Sequence, residues 1–309
     1  MTGCTVLSVH IVISTAEPRG AYHLEPLYQS MMLASPRFTH LVPYPEPLQG
    51  LAWSNVSSDP AVLESADLVV VTGGGFTAWT ELVARRADEL NKPWIVSELA
   101  YGSRPDGVER PHPHAVSAMS RAGAELFSAY HGVDVDDVVI TGIPLLDNLP
   151  TWRPEPKRAL ILSSVDTATR DPDNVLRTLA TRLVSEGWDV VVRTHPREDR
   201  EPWSSFRLDA SLTPAHAASS ATVVIGYPGS AHPICAAIGV PTVAVAPTPE
   251  LYAALPPAHC AIIPTWVERP DDLDTTSLLA SSSATIEYVC GPIGGSAQRL
   301  VDFWISSRR

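Results

Sequence analysis

The chain has 309 residues, 45% of them hydrophobic, and a formal net charge of −12 at pH 7. That length suits two domains of about 150 residues each, and the acidic balance excludes broad nucleic-acid binding and a polybasic membrane-surface patch. No apolar run reaches the roughly 18 residues of a membrane span, and the four scattered cysteines, Cys4, Cys235, Cys260 and Cys290, fit reduced, mostly buried thiols in a cytoplasmic protein rather than a metal site.

The N-terminus enters a strand pattern with no charged stretch ahead of it, so no signal peptide is expected. Residues Cys4 to Ile13 form a β-branched run, the expected first strand, followed by the polar loop Ser14 to Gly20 and a helical pattern near Leu24 to Leu33. Arg37 to Tyr44 reads as a second strand and Pro43 to Ser58 as loop. Asp67 to Thr72 is an apolar strand buried on both faces. It runs into Gly73, Gly74 and Gly75, after which Phe76, Trp79, Leu82 and Val83 recur at helical spacing. Three glycines at a strand-to-helix junction let either a ligand or another segment approach the backbone. Lys92 to Ser97 is the next strand, and Glu98 follows it at the carboxyl edge of a parallel sheet, where open α/β folds bind ligands. Glu98 is therefore either a functional carboxylate or the cap of a backbone turn. His112 and His114 lie between prolines, in a loop rather than on one strand face. A short strand at Ala115 to Ser117 and a helix from Ser120 to Tyr130 come next, and Asp136 to Asp147 closes the first half.

Residues 150–156, with Pro150, Pro154 and Pro156, read as a stiff linker. The pattern then restarts. Arg158 to Ser164 is a strand whose end carries Ser163 and Ser164. Asp171 and Pro172 suit the start of a helix bearing Val175, Leu176, Leu179, Leu183 and Val184 on one face. Trp188 to Pro196 is a strand that ends in Thr194, His195 and Pro196, and Leu212 to Ser220 a short helix. Thr222 to Ile225 is a buried strand, Gly226 to Gly229 a tight turn, and Ser230 opens a small-residue helix that stops at Gly239 before the strand Val243 to Val245. The first loop of this unit offers backbone N–H groups at a helix N-terminus, a natural anion site. A helix near Pro249 to Leu255, a strand at Ala261 to Pro264 and a terminal helix from Ser296 to Ser307 complete the chain. Neither half carries Gly-x-Gly-x-x-Gly, Gly-x-Ser-x-Gly or a Walker A loop, so no dinucleotide cofactor is expected.

The run Gly226-Tyr-Pro-Gly-Ser through Gly239-Val-Pro241 resembles the donor-nucleotide segment of GT-B-type glycosyltransferases and of the related non-hydrolysing UDP-N-acetylglucosamine 2-epimerases. Arg193-Thr-His-Pro196 is similar to the His-Pro motif of bacterial capsule and teichoic-acid transferases, Glu98 to Arg104 resembles the epimerases' Glu-Ala-Gly-Leu-Arg loop, and Thr141 to Asp147 resembles the end of a GT-B N-terminal domain, with Ile143 in place of Asn. The resemblance implies an α/β, GT-B-like fold: two Rossmann-like parallel-sheet domains facing each other across a cleft. Residues 1–149 would be the acceptor domain and 157–309 the nucleotide-donor domain, with the last helix packing back toward the first. It implies a metal-independent glycosyltransferase of bacterial type that needs no cofactor beyond its nucleotide-sugar donor, moves the sugar to an acceptor hydroxyl, and leaves homo-oligomerisation open. Ser163, Ser164, Thr194, His195, Tyr227, Gly229 and Ser230 would bind the donor, and His195 would stabilise the departing phosphate. Glu98 would be the general base, with Gly73, Gly74, Gly75, Glu17 and Arg19 on the acceptor side; for Glu17, Arg19 and His23 the other reading is a solvated polar loop. Ile234 stands where many members carry a ribose-binding Glu, which points to a changed donor or to lost activity. The alternatives are a sugar-nucleotide 2-epimerase or hydrolase, and a degenerate fold that binds a nucleotide or partner without turnover.

Overall fold

The structure, a computed structural model, describes residues 9–15, 27–33, 36–43, 55–72, 78–98, 112–163, 174–195, 198–211, 213–227, 229, 231–250 and 262–308. Among these, the strands form two separate, wholly parallel sheets. The first comprises β1 (His10–Thr15), β2 (Arg37–Leu41), β3 (Val56–Ser57), β4 (Leu68–Thr72), β5 (Trp94–Ser97), β6 (Val116–Ala118) and β7 (Val139–Ile140), in the order β3-β2-β1-β4-β5-β6-β7. The second comprises β8 (Arg158–Leu162), β9 (Asp189–Arg193), β10 (Arg207–Leu208), β11 (Val223–Gly226), β12 (Thr242–Val245) and β13 (Thr265–Val267), in the order β10-β9-β8-β11-β12-β13.

Parallel sheets need both faces covered, and that requirement explains the continuous apolar runs of β1 and β4. Val12, Val69 and Val71 pack under helices Ala78–Glu89 and Arg121–His131 through Val83, Ala84 and Phe127. Ile11, Ile13, Leu68 and Val70 pack on the other face with Leu27, Met31, Leu300, Val301 and Trp304, from helices Leu27–Leu33 and Ser296–Ser306. In the second sheet Ile161, Val192, Val223 and Ile225 share a core with Leu176, Leu179 and Leu183 of helix Val175–Ser185. On the opposite face Leu160, Leu162 and Val224 meet Cys235 and Ala218.

The chain divides into a unit of residues 1–147 plus 291–309 and a unit of residues 148–290. This differs from the expected boundaries at both ends. The proline segment is not a spacer but part of the second unit. Its non-proline N–H groups are free to bond, so Arg153 and Glu155 donate to the carbonyls of Ser219 and Ser220 (each 2.8 Å), while the Trp152 indole donates to Ala221 O (2.8 Å). The last nineteen residues belong to the first unit. There Asp147 closes the start of the terminal helix, its carboxylate accepting from Ser296 N–H (2.7 Å) and Ala297 N–H (2.8 Å).

Smaller expectations also shift. The described part of the first strand is His10–Thr15, residues 1–8 lying outside the described residues. Val56–Ser57 adds a short strand within the segment read as loop. The last strand is Thr265–Val267 rather than 261–264, and Ile262 is helical. Helix Val175–Ser185 begins after Asn174, with Asp171 and Pro172 outside the described residues. Leu82 is 49% exposed rather than core-facing. Cys235 and Cys290 are free and buried, and burial pushes each thiol up to about 12; Cys4 and Cys260 lie outside the described residues.

Candidate functional site

In a doubly wound sheet, ligands bind outside the carboxyl ends of the strands, at the point where successive connections depart in opposite directions. In the second unit that point falls between β8 and β11. Gly226 ends β11 opposite Leu162, and a Cβ at this glycine would collide with the Leu162 carbonyl oxygen and side chain. Glycine is thus required by the close packing of these two strands at the switch point.

Ser163 leaves β8 at the same edge. Its N–H donates to Arg193 O (3.1 Å) and its hydroxyl donates to the Glu198 carboxylate. Thr194 and His195 leave the adjacent β9, both half-buried. His195 N–H donates to Glu198 Oε2 (3.2 Å), and Glu198 N–H donates back to His195 O (2.9 Å). Glu198 Oε1 accepts from the indole of Trp203 (3.0 Å), itself 2% exposed. The structure therefore brings Ser163 and His195 together through one carboxylate. Beside them Arg193 donates to Asp209 and to Ser211 O.

Other residues expected at the donor site fare differently. Tyr227 is 4% exposed and belongs to the apolar core with Ile161, Leu176 and Val243. It turns inward because it continues the core-facing alternation of Val223 and Ile225. Gly229 accepts from His232 N–H through its carbonyl (3.1 Å), and among the described residues a Cβ there would meet only Tyr227 O, at 3.8 Å. The following helix is only Ala231–Ala236, residues 237–239 being turn, so its dipole is shorter than the sequence pattern implied. Ile234 is 6% exposed, filling the helix's packed side. Ser164 and Ser230 lie outside the described residues.

In the first unit the connections part between β1 and β4, at Thr15 and Thr72, which are register partners. Thr72 in turn faces Ser97, and Ser97 faces Ser117. Four adjacent strands thus carry a row of hydroxyl residues on one sheet face near the carboxyl edge, each at most 2% exposed. Thr15 Oγ1 is 2.7 Å from His40 Nε2, Thr72 donates to Ser14 O (2.9 Å), and Ser97 Oγ accepts from Ser117 Oγ (2.9 Å) and the Trp304 indole (2.8 Å). Burial drives the His40 pKa down to about 4. Glu17, Arg19 and His23, after β1, and Gly73, Gly74 and Gly75, after β4, lie outside the described residues.

Glu98 does not project freely from its strand. It is 3% exposed, its N–H donates to Ser117 O (2.9 Å), and its Oε2 accepts from Met119 N–H (2.8 Å). A Cβ on Gly123, in the first turn of helix Arg121–His131, would collide with that carboxylate. Burial raises the Glu98 pKa to about 7, with the Met119 hydrogen bond opposing. His112 and His114 are exposed, and no group of three or more potential metal-ligating side chains occurs among the described residues.

Sequence reasoning missed Glu198 and the hydroxyl row. Each had a signal: Glu198 stands three residues after the His that follows β9, the reciprocal spacing of a capping box, and strands β1, β4 and β5 each end in Thr or Ser.

Two Rossmann-like parallel sheets, each with its switch point at the carboxyl edge, make this a GT-B-like fold. Solved structures with that architecture align along nearly the whole chain. The UDP-GlcNAc 2-epimerase of Neisseria meningitidis bound to UDP-GlcNAc is 13% identical, with a TM-score of 0.57 over 97% of this chain and 100% of that one. S. aureus MnaA with UDP is 14% identical (TM-score 0.62, 97% of each chain). The wall teichoic acid polymerase TagF is 12% identical (TM-score 0.62, 97% of this chain, 88% of that one). At such identities the likeness is one of fold. No family model matches the sequence, and no curated protein matches it. Among the described residues no helix is long and apolar enough to cross a membrane.

Proposed function

We propose that this chain is a cytoplasmic glycosyltransferase that moves a sugar, or a similar activated group, from a nucleotide donor to an acceptor hydroxyl without a metal. The observation that carries the reading is His195, at the carboxyl end of β9 beside Ser163, with both fixed by Glu198 next to the switch point of the second sheet. The likeness of fold to an epimerase bound to UDP-GlcNAc, to MnaA with UDP and to a wall teichoic acid polymerase supports it. A protonated imidazole there would stabilise negative charge building on the departing nucleotide phosphate. Thr194 and the backbone from Gly229 to Ser230 would add donors to the same phosphate, while the Glu17, Arg19 and Gly73 to Gly75 segments after β1 and β4 would receive the acceptor.

Glu98 is the base of this reading. One of its oxygens is held by Met119 N–H, and a pKa of about 7 suits proton abstraction near neutrality. The experiment is a thermal-shift panel of UDP-, CDP-, CMP-, GDP- and dTDP-sugars, followed by nucleotide release with and without candidate acceptors. A nucleotide-dependent rise in melting temperature with acceptor-dependent release is expected. Conversion of the donor sugar without an acceptor would instead favour the epimerase or hydrolase reading, and binding without any release the degenerate one, for which Ile234 speaks.

A further inference from the structure

We propose that Glu198 is the positioning residue of the donor site, a single carboxylate that locks the carboxyl ends of β8 and β9 into one rigid edge; the inference rests on the donor-site reading above. A carboxylate offers about four acceptor positions, and Glu198 fills three: with the Ser163 hydroxyl at the end of β8, with His195 N–H at the end of β9, and with the buried Trp203 indole beneath. Glu198 N–H also donates to His195 O, so the backbone of His195 is held on both sides by one residue. Hydrogen bonds to an ionised acceptor are the strong kind, and His195 lies past the end of β9, which closes at Arg193.

The same geometry reassigns Ser163. Its hydroxyl proton goes to Glu198 and its N–H to Arg193 O, so Ser163 has no donor to offer a phosphate in this arrangement. It acts as the strut that ties β8 to the carboxylate. A negative charge beside a phosphate site would be costly if it faced the phosphate. Three donors turned onto Glu198 offset that charge.

The test uses the full chain with Glu198→Gln, Glu198→Ala, Ser163→Ala and the Ser163→Ala/Glu198→Ala pair. In Glu198→Gln the shape is kept, but the amide places an NH2 against donors, so at least one bond is lost. Turnover is expected to fall roughly 10–10²-fold, the scale of a misplaced catalytic group, with a smaller change in the KM of the donor. The pair should cost less than the sum of its singles, because both act through one contact. Independently of activity, hydrogen exchange of the peptides spanning residues 194–203 and of the Trp203 indole should quicken in Glu198→Ala while the rest of the second unit keeps its protection. Unchanged exchange there, or wild-type turnover in Glu198→Ala, overturns the proposal. Should the wild-type chain bind none of the nucleotides, the donor-site reading fails, whereas quickened exchange would still show Glu198 holding the turn.

Discussion

Glu98 holds its proton more tightly in the folded chain than an ordinary carboxyl does, because burial disfavours the charged form and raises its pKa from 4.5 to about 7. Between those values the native state binds more protons than the unfolded state, so this group makes stability fall as pH rises from about 4.5 to about 7. His40 works in the opposite direction. Its pKa is depressed from 6.5 to about 4, so its contribution rises with pH across that window. The clean measurement is the difference in urea midpoint between wild type and Glu98→Gln, whose amide oxygen can still accept from Met119 N–H. Wild type should lose ground to the variant from pH 5 to pH 7, and a flat difference would reject the burial argument. In the same variant transfer should be lost while nucleotide binding persists; full transfer would move the base elsewhere, with Glu17 next. At His195, replacement by alanine should lower turnover roughly 10²–10³-fold, the scale of one charge-stabilising donor, and an unchanged rate would reject the leaving-group role.

At the scale of elements, two contacts decide how helices are seated. Asp147 receives both Ser296 and Ala297 N–H groups at the start of the terminal helix, and Arg299 donates back to Thr141 O (2.9 Å). Asp147→Ala strands two helix-start donors and should cost about 1–2 kcal/mol in chemical denaturation, as lost caps do. A loss below the error of the measurement would mean that water replaces the carboxylate. At the switch point of the second sheet, Gly226→Ala sets a methyl against the Leu162 backbone. Overpacking of this kind costs about 1–3 kcal/mol, and the two strands should part at the switch point, so nucleotide binding should weaken together with stability. An alanine that leaves both unchanged would show that the two strands separate without penalty.

For the whole molecule, the division into 1–147 plus 291–309 and 148–290 makes a prediction that chain order alone reverses. Removing residues 291–309 should destabilise the first unit, because Leu300, Val301 and Trp304 complete the face formed by Ile11, Ile13 and Val70. Each fully buried large side chain is worth about 1.5–3 kcal/mol. Limited proteolysis of the shortened chain should therefore release fragments from residues 1–147 and leave 148–290 protected. The opposite pattern would place the terminal helix with the second unit.

The amino-acid sequence by itself determined the two alternating β/α halves, because strands buried on both faces must be apolar throughout and their connections must carry glycine, proline and caps. It also marked His195 and the Gly226 turn, since a polar residue closing a buried strand and a glycine where backbones touch are local signals. It could not determine what those residues face. Tyr227 and Glu98 both follow core strands and looked equally available, yet Tyr227 turns into the core and Glu98 is drawn onto Met119 N–H, outcomes set by partners that come from elsewhere in the chain. Glu198 gains its meaning from Ser163, thirty-five residues away, and Asp147 from Ser296, one hundred and forty-nine away. Periodicity reports which face of an element is buried; only the assembled units decide which distant donor meets which carboxylate.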